Sequence, residues 1–328
     1  MNPIMFKLER PMKRICRILL AMACVGLVST TGLAQSPAAA YPDRPVKIVV
    51  PWAPGGFTDR LGRMLAEKMT KSLGQTVLVE NRPGASGSIG SEFVARSAPD
   101  GYTLLLTTSD STVRLMQDKR VDAAGDFAQI SLLATQPVYL SVGPRMQAKT
   151  ISEFIGDAKR RPGEITYASS GEGSAVHLAM ELFASAAGIK LNHIPYKGMG
   201  PALTDLLGGQ VDAVLLSMQG SAGNFETGRL RPLAITSPKR SVLMPEVPTV
   251  AESGVPSYQL MLWYGLVAPK GTPQAIVDKL NKEVKAALAQ PDIQSQLKEG
   301  GTDPIGSSPA ELVSFVNSEV AKWGAVIK

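Results

Sequence analysis

Short apolar runs alternate with helix-periodic segments along most of the chain, and this alternation restricts the fold more than any other feature. From Tyr41 onward, ten such runs are rich in β-branched and aliphatic residues. Several are apolar without interruption, which is typical of strands covered on both faces of a parallel sheet. They are residues 46–50, 76–80, 102–107, 129–134, 138–142, 165–168, 191–194, 211–215, 233–236 and 263–267. Strands that alternate with helices predict the α/β class, with mostly parallel sheets flanked by helices.

The predicted helices are marked by signals at their ends. Residues 59–72 carry apolar side chains at helical spacing, and Gly74 then ends the segment. Thr272-Pro273 predicts a helix with threonine as N-cap and proline at the first helical position. Ser308-Pro309-x-Glu311 is the pattern of a capping box at the start of the last helix.

The number of strands predicts two domains. A single sheet of ten strands is unusual, so two smaller sheets are favoured. We expect the chain to leave the first domain near Gln136-Pro137 and to return near residues 258–262, after a stretch rich in proline. The first domain would then contain residues 41–136 and 260–328, the second would contain 137–259, and the two crossings would form a hinge.

Residues 1–34 are predicted to be a signal peptide and are set aside from the fold. Five Lys or Arg residues precede an apolar run from residue 18 to about 33, and small residues follow. A membrane anchor is one alternative, but the run is shorter than the ~20 residues of a spanning helix. Lipidation at Cys24 is another, although Ala21-Met22-Ala23 before it is a poor lipidation signal. We expect cleavage between Gln35 and Tyr41 and a periplasmic mature protein.

Removing this leader changes what the charge and the cysteines predict. The chain carries a net charge of +6, and the leader holds five basic residues and one acidic residue, so +2 remains. The mature part contains no run of five basic residues, which argues against nucleic acid as a partner. Both cysteines, Cys16 and Cys24, lie in the leader. The mature protein is therefore expected to lack thiol chemistry and disulfides.

Three glycine-bearing turns predict a ligand-binding cleft. "VPWAPGGFTD" (50–59) joins a strand to a helix, "ASSGEGSAVH" (168–177) repeats that arrangement, and "PGASGSIG" (83–90) resembles it. Such turns place free N–H groups beyond the carboxyl end of a strand, where open α/β sheets bind ligands and anions are favoured. In the first turn we expect Gly56 not to tolerate a β-branched residue. Neither a P-loop nor a G-x-G-x-x-G fingerprint occurs.

The sequence offers few groups for catalysis. Its two histidines are His177 and His193. His177 lies near Ser174, but there is no G-x-S-x-G elbow, and hydrogen bonding of His177 to the glycine turn is the favoured interpretation. No residues show metal-ligand spacing, so we expect no enzyme, no metal and no cofactor. Whether Trp52 forms a pocket wall or packs in the core stays open.

These stretches resemble the Bug-type extracytoplasmic solute-binding proteins of tripartite tricarboxylate transport systems. The most specific matches are "ENRPGASGSIG" (80–90) and "YKGMGPALTDLLGGQVDAV" (196–214). The resemblance implies a two-lobed clamshell of the Venus flytrap type, which closes over a small carboxylated solute and delivers it to membrane transporter subunits. The candidate ligand-binding residues are Trp52, Ala53, Pro54, Gly55, Gly56, Phe57, Thr58, Asp59, Ser86, Thr108, Ser109, Asp110, Ser169, Gly171, Gly173, Ser174, His177, Tyr196, Lys197, Ser217 and Met218.

Three departures from the family's usual pattern bear on the ligand. Phe57 replaces a small residue, Asp110 lies beside the expected cleft in a shortened segment, and "LLSMQ" (215–219) replaces a segment in which aspartate is common. We therefore expect a monocarboxylate with an apolar or aromatic body and a hydrogen-bond donor at its far end. The alternative is that Trp52 and Phe57 turn into the core and Asp110 caps a helix. A monomeric transport receptor is the leading hypothesis, ahead of a partner of a membrane sensor protein and a hydrolase.

Overall fold

Two β-sheets organise the described residues, 41–327, of this computed structural model. Residues 1–40, with the predicted signal peptide and both cysteines, and Lys328 lie outside the described residues. The strands are β1 (Val46–Val50), β2 (Val77–Asn81), β3 (Thr103–Thr108), β4 (Phe127–Gln136), β5 (Tyr139–Val142), β6 (Thr166–Ser169), β7 (Asn192–Pro195), β8 (Ala213–Leu216), β9 (Arg231–Ile235), β10 (Leu262–Pro269) and β11 (Asp303–Pro304). The helices are α1 (Phe57–Leu73), α2 (Ser88–Ala95), α3 (Ser109–Asp118), α4 (Ile151–Arg160), α5 (Ala175–Ala187), α6 (Met199–Leu207), α7 (Met218–Glu226), α8 (Gln274–Leu288), α9 (Pro291–Glu299) and α10 (Pro309–Gly324).

Most strands of each sheet point in one direction, as the sequence predicts. The first sheet has the order β11-β4-β10-β3-β1-β2, and the second has the order β7-β6-β8-β5-β9. β10 runs antiparallel to both its neighbours in the first sheet, and β5 does the same in the second. β5 and β10 are the strands that follow the two crossings between sheets, so each crossing brings an antiparallel strand into the sheet that it enters.

The two crossings are hydrogen-bonded to each other at one buried threonine. The chain passes directly from β4 to β5 through residues 137–138, and it returns from β9 to β10 through residues 236–261. The backbone N–H of Thr236 donates to the Val138 carbonyl (2.9 Å), and its hydroxyl donates to the Leu260 carbonyl (2.8 Å). Thr236 is fully buried, so both crossing segments are fixed to the same point.

Helix ends agree with the sequence signals in two cases and differ in one. α1 ends at Gly74, whose φ of 68° is the left-handed conformation expected there. The predicted capping box of Ser308 and Glu311 is present at α10. At α8, however, Pro273 and not Thr272 is the N-cap, because Pro273 has an extended backbone (ψ 136°) and the helix begins one residue later.

Large buried aromatics pack the helices against the sheets. Trp323 of α10 is 1% exposed, as its place in the apolar stripe predicts, and Trp263 of β10 is equally buried. The Trp263 ring meets Phe315 edge to face at 5.5 Å. No helix among residues 41–327 is long and apolar enough to cross a bilayer.

Candidate functional site

A cavity of about 270 Å³ lies where strand ends of both sheets converge. The first sheet contributes the turn after β1, the end of β3 with the start of α3, and one residue of β10. The second sheet contributes the turn after β6 and the start of α6. The lining residues are Trp52, Thr58, Thr108, Ser109, Asp110, Ser170, Gly198, Met199 and Tyr264. Carboxyl ends of strands and amino ends of helices therefore meet at one point, the usual position of a ligand in this fold class.

A larger cavity of about 660 Å³ lies beside the crossing segments. Its wall includes Pro137, Ser237 and Val242, and the Val242 side chain is 93% exposed. Lys239, Arg240 and Lys298 also line it, but no helix start opens into this cavity, so it lacks the convergent helix N–H groups of the smaller one. We therefore place the candidate site in the smaller cavity.

Five of the predicted site residues line this cavity, and four lining residues were missed. The five are Trp52, Thr58, Thr108, Ser109 and Asp110, and the four are Ser170, Gly198, Met199 and Tyr264. Gly198 had a usable signal, since a glycine after a strand and before a helix is the pattern of the other turns. Tyr264 had none, because it lies inside a continuous apolar run and only the packing shows which way its ring points.

Asp59 fixes the first turn in place and lies outside the cavity wall. Its carboxylate is 3% exposed and accepts hydrogen bonds from the Gly55 N–H (3.0 Å), Arg63 Nε (3.0 Å) and Asn81 Nδ2 (2.9 Å). The Arg63 hydrogen bond is the main reason that the pKa of Asp59 falls to about 2. Asp59 is therefore ionised at neutral pH and anchors the turn.

The glycines of the first turn behave differently from the expectation. Gly55 has φ +91°, a conformation that favours glycine, whereas Gly56 has φ −74° and its nearest atom to an added Cβ would be the Ala53 carbonyl oxygen at 4.0 Å. The expected backbone requirement at Gly56 is therefore wrong. Phe57 packs its ring edge to face on Tyr264 at 4.8 Å and is not part of the cavity wall.

Trp52 lies in the cavity wall and carries a buried hydrogen-bond donor. It lines the cavity, and its Nε1 atom is buried without a hydrogen-bond partner among the described residues. Its backbone carbonyl is held by Asn81 Nδ2 at 3.0 Å. A buried donor without a partner costs free energy unless something satisfies it, so Nε1 is an unsatisfied group beside the cavity.

Two histidines hold the second turn. The Gly173 N–H donates to His177 Nδ1 (3.0 Å), as predicted, and the Ser174 hydroxyl caps α5 by accepting from the His177 N–H (3.2 Å). The His177 and His193 rings stack at 3.9 Å. Burial, and secondarily the neighbouring His177, lower the pKa of His193 to about 4. Both rings are hydrogen-bonding and packing elements of the turn.

The remaining predicted residues lie outside the cavity wall. Met218 is buried in the core of the second sheet and lines a different cavity. The Tyr196 hydroxyl donates to Asp205 (2.7 Å), and Lys197 is exposed. The others are Ala53, Pro54, Ser86, Ser169, Gly171 and Ser217.

Asp110 spans the two halves of the site. It lies in the first turn of α3, whose N-cap Thr108 forms a capping box with Ser111. Its Oδ1 accepts a hydrogen bond from the backbone N–H of Ala175, the first residue of α5, at 2.9 Å. Burial raises the pKa of Asp110, and the Ala175 N–H opposes this shift. Asp110 therefore caps a helix and lines the cavity, so both of the alternatives for this residue hold.

Residues 41–327 include no group of three His, Cys, Asp or Glu side chains placed to hold a metal ion. The chemistry of the cavity wall is that of hydroxyls, backbone N–H groups, an indole N–H and one carboxylate. This set suits the binding of a polar solute.

Comparison with known proteins shows the family of this chain. Residues 61–328 match the model of the family described as tripartite tricarboxylate transporter family receptor. Protein BugT of Bordetella pertussis is 38% identical over 313 residues, which cover 94% of this chain and 96% of BugT. The structure of the periplasmic binding protein BugD is 37% identical with a TM-score of 0.76, covering 87% of this chain and 97% of BugD. The structure of R. palustris Rpa4515 with adipate is 36% identical with a TM-score of 0.77 and the same two coverages.

Proposed function

Because this chain belongs to the receptor family of tripartite tricarboxylate transporters, we propose that it captures a small carboxylated solute in the 270 Å³ cavity and delivers it to the membrane subunits of such a transporter. The observation that carries the proposal is that both sheets contribute to the cavity wall. Loops that follow strands of both sheets form it, so a bound solute would contact both lobes at once. Contact with both lobes is what stabilises a closed form over an open one.

The start of α1 is the position we assign to the ligand carboxylate. This helix has 17 residues, and its N-cap Gly56 offers no side-chain hydrogen bond. Its first N–H groups therefore have no side-chain acceptor and can bind an anion, while the ionised Asp59 in the same turn offsets part of the helix dipole. Thr58 in the first turn of α1 and Trp52 in the loop before it both line this cavity.

The lobe boundaries in this proposal follow the crossings. The first lobe contains residues 41–136 and 260–328, and the second contains 137–259. Thr236 joins the two crossing segments and would act as the fixed point of the hinge. The protein would be exported by its signal peptide, residues 1–34, and work as a monomer in the periplasm, where BugD is also described.

Calorimetry on the mature protein with a panel of carboxylates tests the proposal. A ligand at 100 times its dissociation constant adds about 2.7 kcal/mol to the free energy of unfolding, so a thermal-shift screen suits the first round. Thr58→Val removes a lining hydroxyl and should weaken binding by roughly 10-fold or more, since a hydrogen bond to a charged group contributes about 1.5–3 kcal/mol.

Thr204→Val is the matched control. Thr204 lies on α6, and its hydroxyl donates to the Gly200 carbonyl of the same helix (3.2 Å). Binding should be unchanged in this variant. A protein that binds no carboxylate in the panel, or loses equal affinity in both variants, contradicts the proposal.

A further inference from the structure

The cavity wall contains one charged side chain. Of the nine lining residues, Asp110 is the single ionisable carboxyl, and no Lys, Arg or His is among them. The other lining residues with polar side-chain groups are Trp52, Thr58, Thr108, Ser109, Ser170 and Tyr264. The electrostatics of the cavity therefore depend on where this one carboxylate lies and what it bonds.

Asp110 already occupies an anion position of the second lobe. α5 has 13 residues, and the N–H of its first residue, Ala175, donates to Asp110 Oδ1 at 2.9 Å. The two residues are 65 positions apart in sequence and belong to helices packed on different sheets. The amino end of α5, where a ligand carboxylate would be favoured, is thus filled by a carboxylate of the protein itself.

The carboxylate is also held from its own side. The capping box of Thr108 and Ser111 fixes the first turn of α3, and both residues are almost fully buried. Among the described residues, Asp110 accepts the Ala175 hydrogen bond and forms no ion pair. A carboxyl group fixed in this way cannot turn out of the cavity without breaking its hydrogen bond to Ala175.

Hydrogen bonding at the start of α1 differs from that at the start of α5. The start of α1 has no side-chain cap, and Trp52 Nε1 has no partner. The first N–H groups of α1 therefore have no side-chain acceptor among the described residues, whereas the first N–H of α5 is bound by the Asp110 carboxyl group. A second negative group of a ligand within about 4–6 Å of Asp110 would disfavour both charges.

Resting on the proposed function, we propose that Asp110 is a specificity-determining residue that fills the second anion position, so that the cavity accepts a solute with one carboxylate and rejects the matched dicarboxylate. The single carboxylate lies at the start of α1. The far end of the solute is uncharged or carries an N–H or O–H donor directed at Asp110.

Pairs of ligands that differ in one carboxylate test this inference on the mature protein. Hexanoate and adipate share a six-carbon chain, and benzoate, 4-aminobenzoate and terephthalate share an aromatic ring. Calorimetry should show at least 10-fold tighter binding of the monocarboxylate within each pair. For the aromatic set, 4-aminobenzoate should bind at least as tightly as benzoate.

Asp110→Asn removes the charge and keeps an acceptor for the Ala175 N–H. It should reduce the preference for the monocarboxylate at least 10-fold. Asp118→Asn is the matched control on the same helix, where Asp118 pairs with Arg114 (2.7 Å) outside this cavity. The control should keep the wild-type preference, and circular dichroism and melting temperature should show that both variants fold.

The outcomes separate this inference from the function on which it rests. If the wild-type protein binds adipate or terephthalate as tightly as the matched monocarboxylate, or if Asp110→Asn leaves the preference unchanged, the role of Asp110 is refuted while carboxylate binding stands. If no carboxylate of either class binds, the proposed function fails and the inference fails with it.

Discussion

The stacked imidazoles of His177 and His193 should make the folded protein less stable in mild acid. Burial and the charge of His177 hold the pKa of His193 to about 4, against 6.5 for an ordinary histidine, although Glu172 and Glu181 act in the opposite direction. As the pH falls through 6.5, the unfolded chain binds a proton that the folded chain accepts only near pH 4. The stabilisation by neutral His193 is therefore complete above pH 6.5 and is lost between pH 6.5 and about 4.

The magnitude follows from the difference in pKa. Each pH unit in this window lowers the free energy of unfolding by at most about 1.4 kcal/mol, which gives an upper limit of about 3 kcal/mol. Part of the His193 ring remains in contact with solvent, so we expect a loss of about 2 kcal/mol from this residue.

Urea unfolding of the wild-type protein and of His193→Gln at pH 7 and pH 4.5 measures the loss. Carboxylates titrate in both proteins, so the difference between them isolates His193. The wild-type protein should lose about 2 kcal/mol more than the variant. Because the chain has two histidines, His177→Gln also assigns the NMR titration of each ring. A His193 signal that titrates near pH 6.5 in the folded protein, or equal losses in wild type and His193→Gln, would refute the reasoning.

Three further contacts in the fold can be tested by substitution. Ser174→Ala removes the α5 cap and should lower the free energy of unfolding by about 1 kcal/mol in urea, while Ser174→Asn, which can cap, should restore most of it. Asp59→Asn should lower the free energy of unfolding by about 1.5–3 kcal/mol at pH 7. The difference in stability between wild type and variant should disappear as the pH falls from 3.8 towards 2, because wild-type Asp59 then protonates. A difference that persists at pH 2 contradicts an electrostatic origin. Gly143→Ala places a Cβ 2.3 Å from the Leu206 carbonyl oxygen and should lower the free energy of unfolding by about 1–3 kcal/mol. The control Gly223→Ala lies inside α7 with open space around the added Cβ and should raise the free energy of unfolding by up to about 1 kcal/mol. Equal melting temperatures of the two variants would show that the backbone at Gly143 gives way.

The local elements were predictable because their signals are local. Gly74 ends α1 with a left-handed backbone, and Ser308 and Glu311 close a capping box, each through contacts within one turn. The strand runs were recognisable because strands covered on both faces must be apolar throughout. A capping box at Thr108 also marked the start of α3, but the threonine–serine pair is a weaker signal than serine–glutamate and was missed.

The family was also readable from the sequence, since its motifs are contiguous stretches such as residues 80–90 and 196–214. The proposed identity of the site as a carboxylate receptor depends on this resemblance more than on any single residue. Position 56 shows the limit of reading a motif. It was expected to require glycine, but its φ of −74° is ordinary, and the positive φ occurs at Gly55.

The tertiary structure alone decided which residues meet in the cavity. Whether Trp52 is wall or core, and whether Tyr264 faces a solute, depends on how loops from two sheets pack against each other. The contact between Asp110 and Ala175 joins residues far apart in the chain, and no sequence period reports such a distance. Periodicity and capping depend on neighbours within a few residues, whereas a binding site depends on the relative position of rigid elements, which the packing of the whole chain sets.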